Sequence, residues 1–461
     1  MPLDAVLLSR IQFFWVIALH ILLPAFTVGL ASYIAVLEAL YLVTRRVAYR
    51  RLSAFWLKAF AVSFGMGVVS GIVMPFQFGT NWSRFSDATA DILGSPMAYE
   101  ALMAFFLEAG FLGVLLFGRD RVPPWAHFLA SVMVAVGTLF SAFWILSANS
   151  WMQTPAGFSM VDGRFFPEDW LAVIFNPSFP YRLLHTVTAF YITTALVVAS
   201  VAAYYLRGGR FAEESAIMLK QAFGLLTLLV PLQVYIGDRH GLNTLEHQPA
   251  KIAAMEANWD TQKRMPLLLF AWPDEKAEAN RFEIGIPSAG SIILRHDRDG
   301  EVQGLKDFPP ADRPPVAIPF FAFRAMVGIG LAILALVVWS WWAWRRRGGF
   351  AGARAFLRAC ELAAPLGFLA VLAGWITTEV GRQPWVVYGH LRTASALTPS
   401  LTGTQVLLSL ALYVVVYVVV FGAGLHFMLR LLRAGPAPER AAEEQSLGRA
   451  ARPLSAVSEP R

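Results

Sequence analysis

Apolar residues along this chain are gathered into nine long runs, and polar segments separate each run from the next. A helix of about 20 apolar residues is long enough to span the hydrocarbon core of a bilayer. The pattern therefore predicts an all-α polytopic membrane protein with about nine transmembrane helices. Pro96 is predicted to occupy the first position of the third helix, where its missing N–H has no partner to lose. The runs cover residues 12–42, 55–78, 96–117, 126–148, 183–205, 219–237, 319–343, 361–380 and 404–430.

Lysine and arginine are concentrated in alternate connecting segments. These are "TRRVAYRRL", "GRDRVPP", "RGGRFAEESAIMLK", "WRRRGGFAGARAFLR" and the tail from Arg430. Because basic residues are retained on the cytoplasmic side, the N-terminus is predicted to lie outside and the C-terminus inside. An odd number of helices agrees with that orientation. The first run lacks a basic preceding region and a clear cleavage site, so it is expected to remain as a helix.

One connecting segment, residues 238–318, is long and polar, and the topology places it outside between helices 6 and 7. Within it, "PAKIAAMEANW" (249–259) predicts a short helix opened by a proline. "RFEIGIPSAGSIIL" predicts a small hairpin that turns at Pro-Ser-Ala-Gly-Ser. The chain is thus divided into helices 1–6 (1–237), the external loop (238–318), helices 7–9 (319–435) and a disordered cytoplasmic tail (436–461).

Composition narrows the class of protein further. Hydrophobic residues make up 57% of the chain and charged residues 15%, whereas a soluble domain carries about 25% charged residues. The net charge of +7 lies in the short loops, so it is explained by topology and no nucleic-acid binding is predicted. The single cysteine, Cys360, excludes an internal disulfide, and the absence of Cys-x-x-Cys-His excludes covalent c-type haem attachment.

A few residues with ligand chemistry interrupt the apolar runs. Under the predicted topology, His20, Glu100, His185, Met326 and Glu379 all fall in the outer halves of their helices. Taken singly, a buried histidine often only hydrogen-bonds a neighbouring helix, and a methionine usually only packs. Their convergence at one depth instead favours a shared ligand, because ionisable groups inside a membrane are costly and are usually functional.

Haem is the cofactor that suits these residue types. Imidazole, thioether and carboxylate groups all serve as axial ligands of haem iron, and a His/Met pair gives an electron-transfer haem. Arg324 and Arg382 follow the same pattern, since each lies within three residues of a candidate ligand and is suited to neutralise a propionate. The alternative is an ion-coupled transporter that binds protons at Glu100, Glu108 and Glu379. It is less favoured because no inverted repeat or pair of broken helices is apparent.

Five stretches resemble subunit I of the cytochrome bd-type quinol oxidases, over essentially the whole chain up to the tail. They are "SRIQFFWVIALHILLPAFTVGLA", "SAFWILSANSWMQTP", "AKIAAMEANW", "FFAFRAMVG" and "GWITTEVGRQPW". The resemblance implies a haem-containing subunit of a terminal oxidase in the bacterial inner membrane. Such an enzyme oxidises quinol at the outer face and reduces dioxygen to water with protons taken from inside. It also implies a second polytopic subunit, with a small single-span subunit as a further candidate partner.

The resemblance also implies haem ligands. His185 and Met326 match the ligands of a low-spin haem b. His20 and Glu379 match the axial ligands of two high-spin haems, a second haem b and a haem d, without deciding which residue binds which. Glu100 matches a carboxylate at the oxygen-reducing haem. The short external loop resembles a branch that includes cyanide-insensitive oxidases, in some of which a further haem b replaces haem d.

Further roles follow from the same resemblance. Trp375 matches an indole between haems, and Arg324 and Arg382 match basic residues at the haems. Lys251 and Glu256 match quinol-site residues, although without the resemblance this pair would indicate only a solvated charged face.

Two more residues match a path for protons. Glu108 and Ser141 match a carboxylate and a hydroxyl on a path that carries protons from the inside toward the haems. Glu100, eight residues before Glu108 on the same helix, is predicted to lie on the same path. The alternative for Glu108 is that it pairs with a neighbouring subunit.

Overall fold

The structure, a computed structural model, describes residues 4–350 and 352–436 of the chain. Within these residues, nine helical segments are long and apolar enough to cross a membrane. The predicted fold class is therefore confirmed, whereas the orientation of the termini stays a prediction. Of the predicted cytoplasmic tail, only Pro436 belongs to the described residues and the rest lies outside them. We call the end of the molecule at which the first helix begins the N-terminal face.

The first four spans are built from six helices. Their bounds are α1 Ala5–Leu22, α2 Pro24–Thr44, α3 Val47–Thr80, α4 Ser83–Met103, α5 Gly110–Phe117 and α6 Pro124–Gln153. The first span is broken at Leu23 because Pro24 has no N–H to continue the helical ladder. The remaining spans are built from α7 Trp170–Ile174, α8 Phe179–Arg207, α9 Ala212–His247, α12 Ala317–Arg347, α13 Arg354–Leu362, α14 Leu366–Val380 and α15 Gly403–Ala434.

The third span departs from its prediction at the start and in the middle of its apolar run. Pro96 lies in the interior of α4, not at its first position, because the preceding polar residues from Ser83 are already helical. A π-helical turn, Ala104–Ala109, then separates α4 from α5. A π-turn inserts extra backbone into a helix and shifts the following side chains around its axis. The position of Glu108 within this turn therefore cannot be read from ordinary helical spacing.

Eight of the spans form two four-helix bundles. In the first bundle, α2, α3, α4 and α6 pack in a closed ring, and α1 leans on α3. In the second bundle, α8, α9, α12 and α14 pack in a closed ring. The bundles are joined because α8 packs against both α2 and α6. The last helix, α15, packs against α1 and α3 at the edge and leaves much of its apolar surface exposed.

The long loop of residues 238–318 is largely structured. Helix α9 continues to His247, ten residues beyond its predicted end, and the predicted short helix is present as α10, Pro249–Glu256. The predicted hairpin is wrong in its pairing. Strand β5, Ala279–Ile286, pairs backwards with β4, Leu267–Asp274, and the residues expected to form the second strand are helix α11, Ala289–Arg295. The continuous apolar run of β4 pairs with β5 in place of the expected second strand.

The other strands are short and pair in twos. Hairpin β1–β2 follows α6, β3 pairs with β6 inside the long loop, and β7 pairs with β8 after α14. Their bounds are β1 Phe158–Val161, β2 Arg164–Pro167, β3 Gln262–Lys263, β6 Glu301–Val302, β7 Trp385–Val387 and β8 Leu391–Arg392.

Candidate functional site

The carboxylate of Glu379, at the end of α14, lies at the centre of a polar cluster where the two bundles meet. Its Oε2 pairs with Arg382 Nη2 at 2.5 Å. Its Oε1 accepts hydrogen bonds from Asn149 Nδ2 and Gln153 Nε2, each at 3.1 Å, and lies 3.9 Å from Arg182 Nη2. Two guanidinium groups and two amides thus compensate the cost of placing this charge near hydrocarbon.

Both arginines of this cluster are buried, and both keep hydrogen-bond donors without a protein acceptor. These donors are Nε of Arg182 and both Nε and Nη1 of Arg382. A buried cationic donor without an acceptor is costly. Carboxylates of a bound group would satisfy these N–H groups through charge-assisted hydrogen bonds. The propionates of a haem fit this requirement.

His20 is fixed on the facing side of the first bundle, one turn before the break between α1 and α2. Its Nδ1 lies 2.9 Å from the hydroxyl of Ser70, which itself donates to backbone carbonyls of α3. The hydroxyl therefore accepts from Nδ1–H, and Nε2 keeps the lone pair that a metal ligand needs. A side chain at Gly71 would approach the imidazole to 3.2 Å, so a glycine leaves the space that this ring occupies.

Glu100 and Glu108 face the same strip of helix α6. The hydroxyl of Ser141 donates to Glu100 Oε1 at 2.8 Å. Glu108 is buried, and a Cβ placed at Gly137 would lie 2.9 Å from its Cγ. Since Gly137 and Ser141 are four residues apart, they lie one above the other on α6. The three residues predicted to form a proton path are thus brought together, and the glycine makes room for the deeper carboxylate.

His185 and Met326 lie on α8 and α12, which are diagonally opposite in the second bundle. Each packs against a glycine of a neighbouring helix. A Cβ at Gly237 would lie 3.3 Å from His185 Cε1, and one at Gly374 would lie 2.9 Å from Met326 Sδ. This placement fits two ligands that approach one group from opposite sides inside the bundle.

Trp375 lies at the junction of the two bundles. Its ring centroid is 5.7 Å from that of Phe14 on α1, so the indole of α14 reaches the first bundle. The predicted position of this residue between two cofactor regions is compatible with this contact, and its role stays a prediction.

Lys251 is buried on α10 and points toward the Glu379 cluster. Its Nζ donates to Gln153 Oε1 at 2.6 Å and to Gln248 Oε1 at 2.5 Å. Burial, reinforced by the nearby Arg182, lowers the pKa of the Lys251 amine well below its usual value, although Glu379 acts in the opposite direction. The lysine is therefore not part of a solvated charged face.

Glu256, at the other end of α10, is also buried and forms an ion pair. Its Oε2 lies 2.7 Å from Arg324 Nη2. The same guanidinium donates through Nε to the Leu268 carbonyl at 2.9 Å and through Nη1 to the Met255 carbonyl. All three nitrogens of Arg324 are thus engaged by the long loop. The role of Arg324 beside a haem stays a prediction. In the structure its guanidinium pairs with Glu256 and holds that carboxylate in place.

Several residues of the site were missed by the sequence analysis. Asn149 and Gln153 lie in the stretch "SAFWILSANSWMQTP", which carried the resemblance without any role for these amides. A signal was available, because two amides four residues apart end an apolar helix on one face. Arg182 and Gln248 were given no role. Nothing in the sequence indicates that these side chains meet Glu379 and Lys251.

Comparisons with known proteins identify the family of this chain. The family model described as cytochrome bd terminal oxidase subunit I matches residues 8–436. The chain is 34% identical to cytochrome bd-II ubiquinol oxidase subunit 1 of Escherichia coli (strain K12), over 94% of this chain and 97% of that protein. It is 35% identical to cytochrome bd ubiquinol oxidase subunit 1 of Bacillus subtilis (strain 168), over 94% of each.

A solved structure is also similar. The bd oxidase from Geobacillus thermodenitrificans has a chain that matches with a TM-score of 0.87 and 30% identity, over 94% of this chain and all of that one. These matches confirm the predicted resemblance, the class of quinol oxidase enzyme and the multi-pass placement in a bacterial inner membrane, and they exclude the transporter alternative. The chain belongs to the cytochrome bd terminal oxidase subunit I family.

Proposed function

We propose that this chain is the haem-carrying subunit of a terminal oxidase that takes electrons from membrane quinol at its N-terminal face and reduces dioxygen to water. Family membership already implies haem cofactors and a second subunit. The observation that carries the finer proposal is the Glu379 cluster, in which a buried carboxylate faces two buried guanidiniums with unsatisfied donors. A structural ion pair would have no need of the spare donors.

The proposed cofactors are a low-spin haem b, a high-spin haem b and a haem d, with a further haem b as the alternative to haem d. His185 and Met326 would hold the low-spin haem b. His20 and Glu379 would hold the two high-spin haems, with Glu100 beside the one that reduces oxygen. Bound haem supplies the electron carriers and the iron at which dioxygen is reduced.

At the quinol site, Glu256 is proposed to accept a proton from the quinol hydroxyl. Its Oε2 is held by Arg324, which leaves Oε1 to act as the general base. Lys251 is proposed to position the same short helix, since its amine is anchored on Gln153 and Gln248.

The protons that make water are proposed to reach the site through Glu108, Ser141 and Glu100. Support comes from two contacts along one side of α6. Ser141 donates to Glu100, and Gly137, one turn away, leaves space for the Glu108 side chain. Protons from the cytoplasm would have to cross much of the bilayer to reach this level, because the proposed ligands cluster near the N-terminal face. Buried carboxylates and hydroxyls joined by water are suited to that transfer.

The remaining parts of the proposal concern assembly and topology. The N-terminal face is proposed to be external, with residues 238–318 as the quinol loop, 1–237 and 319–435 as the two membrane parts, and 436–461 as a cytoplasmic tail. The second polytopic subunit, and a small single-span subunit if one is present, would cover exposed apolar helix surface. Dioxygen and lipid complete the set of partners.

The test of this proposal is spectroscopic and catalytic. The purified oxidase is expected to show a Soret band and a reduced-minus-oxidised spectrum with low-spin and high-spin haem components. It is also expected to consume oxygen when quinol is added. Well-folded protein without a Soret band would contradict the proposal.

The quinol site gives a first mutational prediction. Glu256→Gln keeps the shape of the side chain but removes the base and the ion pair with Arg324. We expect quinol-driven oxygen consumption to fall by about 100-fold, the lower limit for loss of a general base. Oxidation of an artificial one-electron donor should be nearly unchanged. Glu246→Gln, an exposed carboxylate on α9, is the control. Equal losses with both donors would count against a quinol role.

Gln153 gives a second prediction, about stability. Gln153→Leu leaves the buried amine of Lys251 without one acceptor and Glu379 without one donor. Each unsatisfied buried group costs about 1–3 kcal/mol, so the variant should unfold at a lower temperature than the parent. Thermal unfolding of the purified oxidase, followed by tryptophan fluorescence, measures this. Gln303→Leu, at a position of the long loop whose side chain makes no hydrogen bond with the described residues, should leave the midpoint unchanged.

A further inference from the structure

The hairpin formed by β4 and β5 exposes large apolar side chains although it lies outside the membrane-spanning helices. Phe282 is 79% exposed, Ile284 62%, Trp272 58% and Phe270 43%. Phe270 pairs directly with Ile284 across the hairpin. We call these four side chains the apolar hairpin face. A contiguous exposed apolar surface of this kind usually marks contact with a membrane or with another protein.

The apolar hairpin face continues an exposed apolar side of helix α12. The rings of Phe270 and Trp272 lie 6.1 and 6.0 Å from that of Phe321, in the second turn of α12. Phe321 belongs to a stripe on that helix whose other members are exposed and spaced by three or four residues: Ile318, Ala325, Gly328 and Leu331. In a membrane-spanning helix, such an apolar exposed stripe faces the acyl chains. The hairpin therefore extends the lipid-facing side of α12 beyond the helix.

Most charged residues of the hairpin lie at or beside its turn, whereas Glu283 lies between Phe282 and Ile284 on β5. Asp274 pairs with Arg281, and Glu278 pairs with Arg313. Apolar side chains on one face with charges at one end suit a segment at the boundary between headgroups and acyl chains. Because a two-stranded hairpin has unpaired backbone groups along its edges, it is not suited to the hydrocarbon core. Its depth is therefore expected to be interfacial, at the level where tryptophan is enriched.

The same hairpin touches the proposed quinol site through its backbone. The Leu268 carbonyl, in β4, accepts a hydrogen bond from Arg324 Nε at 2.9 Å, and Arg324 holds Glu256. One residue of β4 thus supports the buried ion pair while Phe270, two residues later, contributes to the apolar hairpin face. The apolar hairpin face and the support of the carboxylate are therefore only two residues apart along β4.

We propose that the apolar hairpin face lies in the leaflet at the N-terminal face and forms the lip over which a lipid-dissolved quinol reaches Glu256. The occupant is lipid and not a protein partner, because the face is continuous with the lipid-facing stripe of α12 and none of its four side chains is charged. The membrane contact stands on the geometry alone. The passage of quinol rests on the proposed function.

The membrane contact is tested by depth-dependent quenching in the whole oxidase. A fluorescent label on Phe282→Cys, in vesicles of phosphatidylcholine, should be quenched by brominated acyl chains. The same label on Asp297→Cys, at an exposed position in the long loop, should not be quenched. The native Cys360 is buried, so background labelling should be low. A label at 282 that is unquenched, or that crosslinks to another subunit, would overturn the membrane contact in favour of water or a protein partner.

The passage of quinol is tested by kinetics. Replacing both Phe282 and Ile284 with serine should raise KM for a long-chain quinol by about fivefold and leave kcat unchanged, because delivery is impaired and chemistry is not. KM for a short-chain, water-soluble quinol should stay the same. The matched control replaces Ile292 and Ile293, which are exposed on α11 and do not belong to the apolar hairpin face. An unchanged KM for long-chain quinol would refute the lip. If the parent protein shows no quinol oxidation at all, the proposed function is refuted. The quenching result on membrane contact would still stand.

Discussion

Replacing Met326 with leucine is expected to abolish the low-spin component of the reduced-minus-oxidised spectrum. Leucine keeps the volume of the side chain but has no thioether to bind iron. The sulfur of Met326 packs against Gly374, where a Cβ would be only 2.9 Å away, so the site is shaped around this side chain. Less than about a tenth of the low-spin signal should remain, with a gain of high-spin absorbance. Quinol-driven oxygen consumption should fall in parallel.

The control for this experiment is Met218→Leu. Met218 is fully buried on α9 of the same bundle, but it is not among the proposed ligands. It therefore reports what a methionine-to-leucine change does to packing alone. If Met326→Leu has the same spectrum as Met218→Leu, the assignment of His185 and Met326 as a ligand pair is wrong.

Glu108→Gln is expected to slow oxygen reduction by about 100-fold, which is the lower limit for removal of an obligatory proton-transfer group. Glutamine retains the shape and hydrogen bonding of the side chain, so its fit against Gly137 should persist. Haem content and the reduction of the low-spin haem by quinol should stay normal. Oxygen uptake and proton-linked charge movement in reconstituted vesicles measure the effect.

Two comparisons make the Glu108 result specific. Glu168→Gln, an exposed carboxylate outside the proposed path, should turn over at the parental rate. Ser141→Ala, which removes the hydroxyl that donates to Glu100, should give an intermediate loss. Full turnover with full charge movement in Glu108→Gln would exclude this residue as an obligatory relay.

The nine spans were predictable because bilayer crossing depends on apolar length, which hydropathy reads directly. The same property explains the failures at their ends. The last turns of α9 are the polar stretch "DRHGLNTLEH", which is helical beyond the apolar run and was assigned to the loop. Residues before Pro96 form helix for the same reason. Hydropathy identifies the part of a helix that lies in lipid. The part that extends beyond the lipid is polar, so hydropathy does not show that it is helical.

Individual residues of the candidate site could be predicted from the sequence, but their interaction partners could not. His20, His185 and Glu379 attract notice because ionisable groups are rare in apolar runs. Their partners do not, because the choice of partner is made by tertiary packing. Arg324 and Glu256 are 68 residues apart, and Lys251 and Gln153 are 98 apart. From the local sequence pattern, Lys251 and Glu256 of α10 were expected on a solvated surface. The fold shows that both side chains are buried and have polar partners.

The amide of Gln153 has a direction. Its oxygen faces the amine of Lys251 and its nitrogen faces Glu379. Turning the amide over would set NH2 against an amine and oxygen against a carboxylate, so neighbouring charges fix which atom lies where. Asparagine, one methylene shorter, would not reach both ends. The Gln153 side chain therefore fixes the position of helix α10 relative to the Glu379 carboxylate. A shift of either one would strain or break a hydrogen bond to the other.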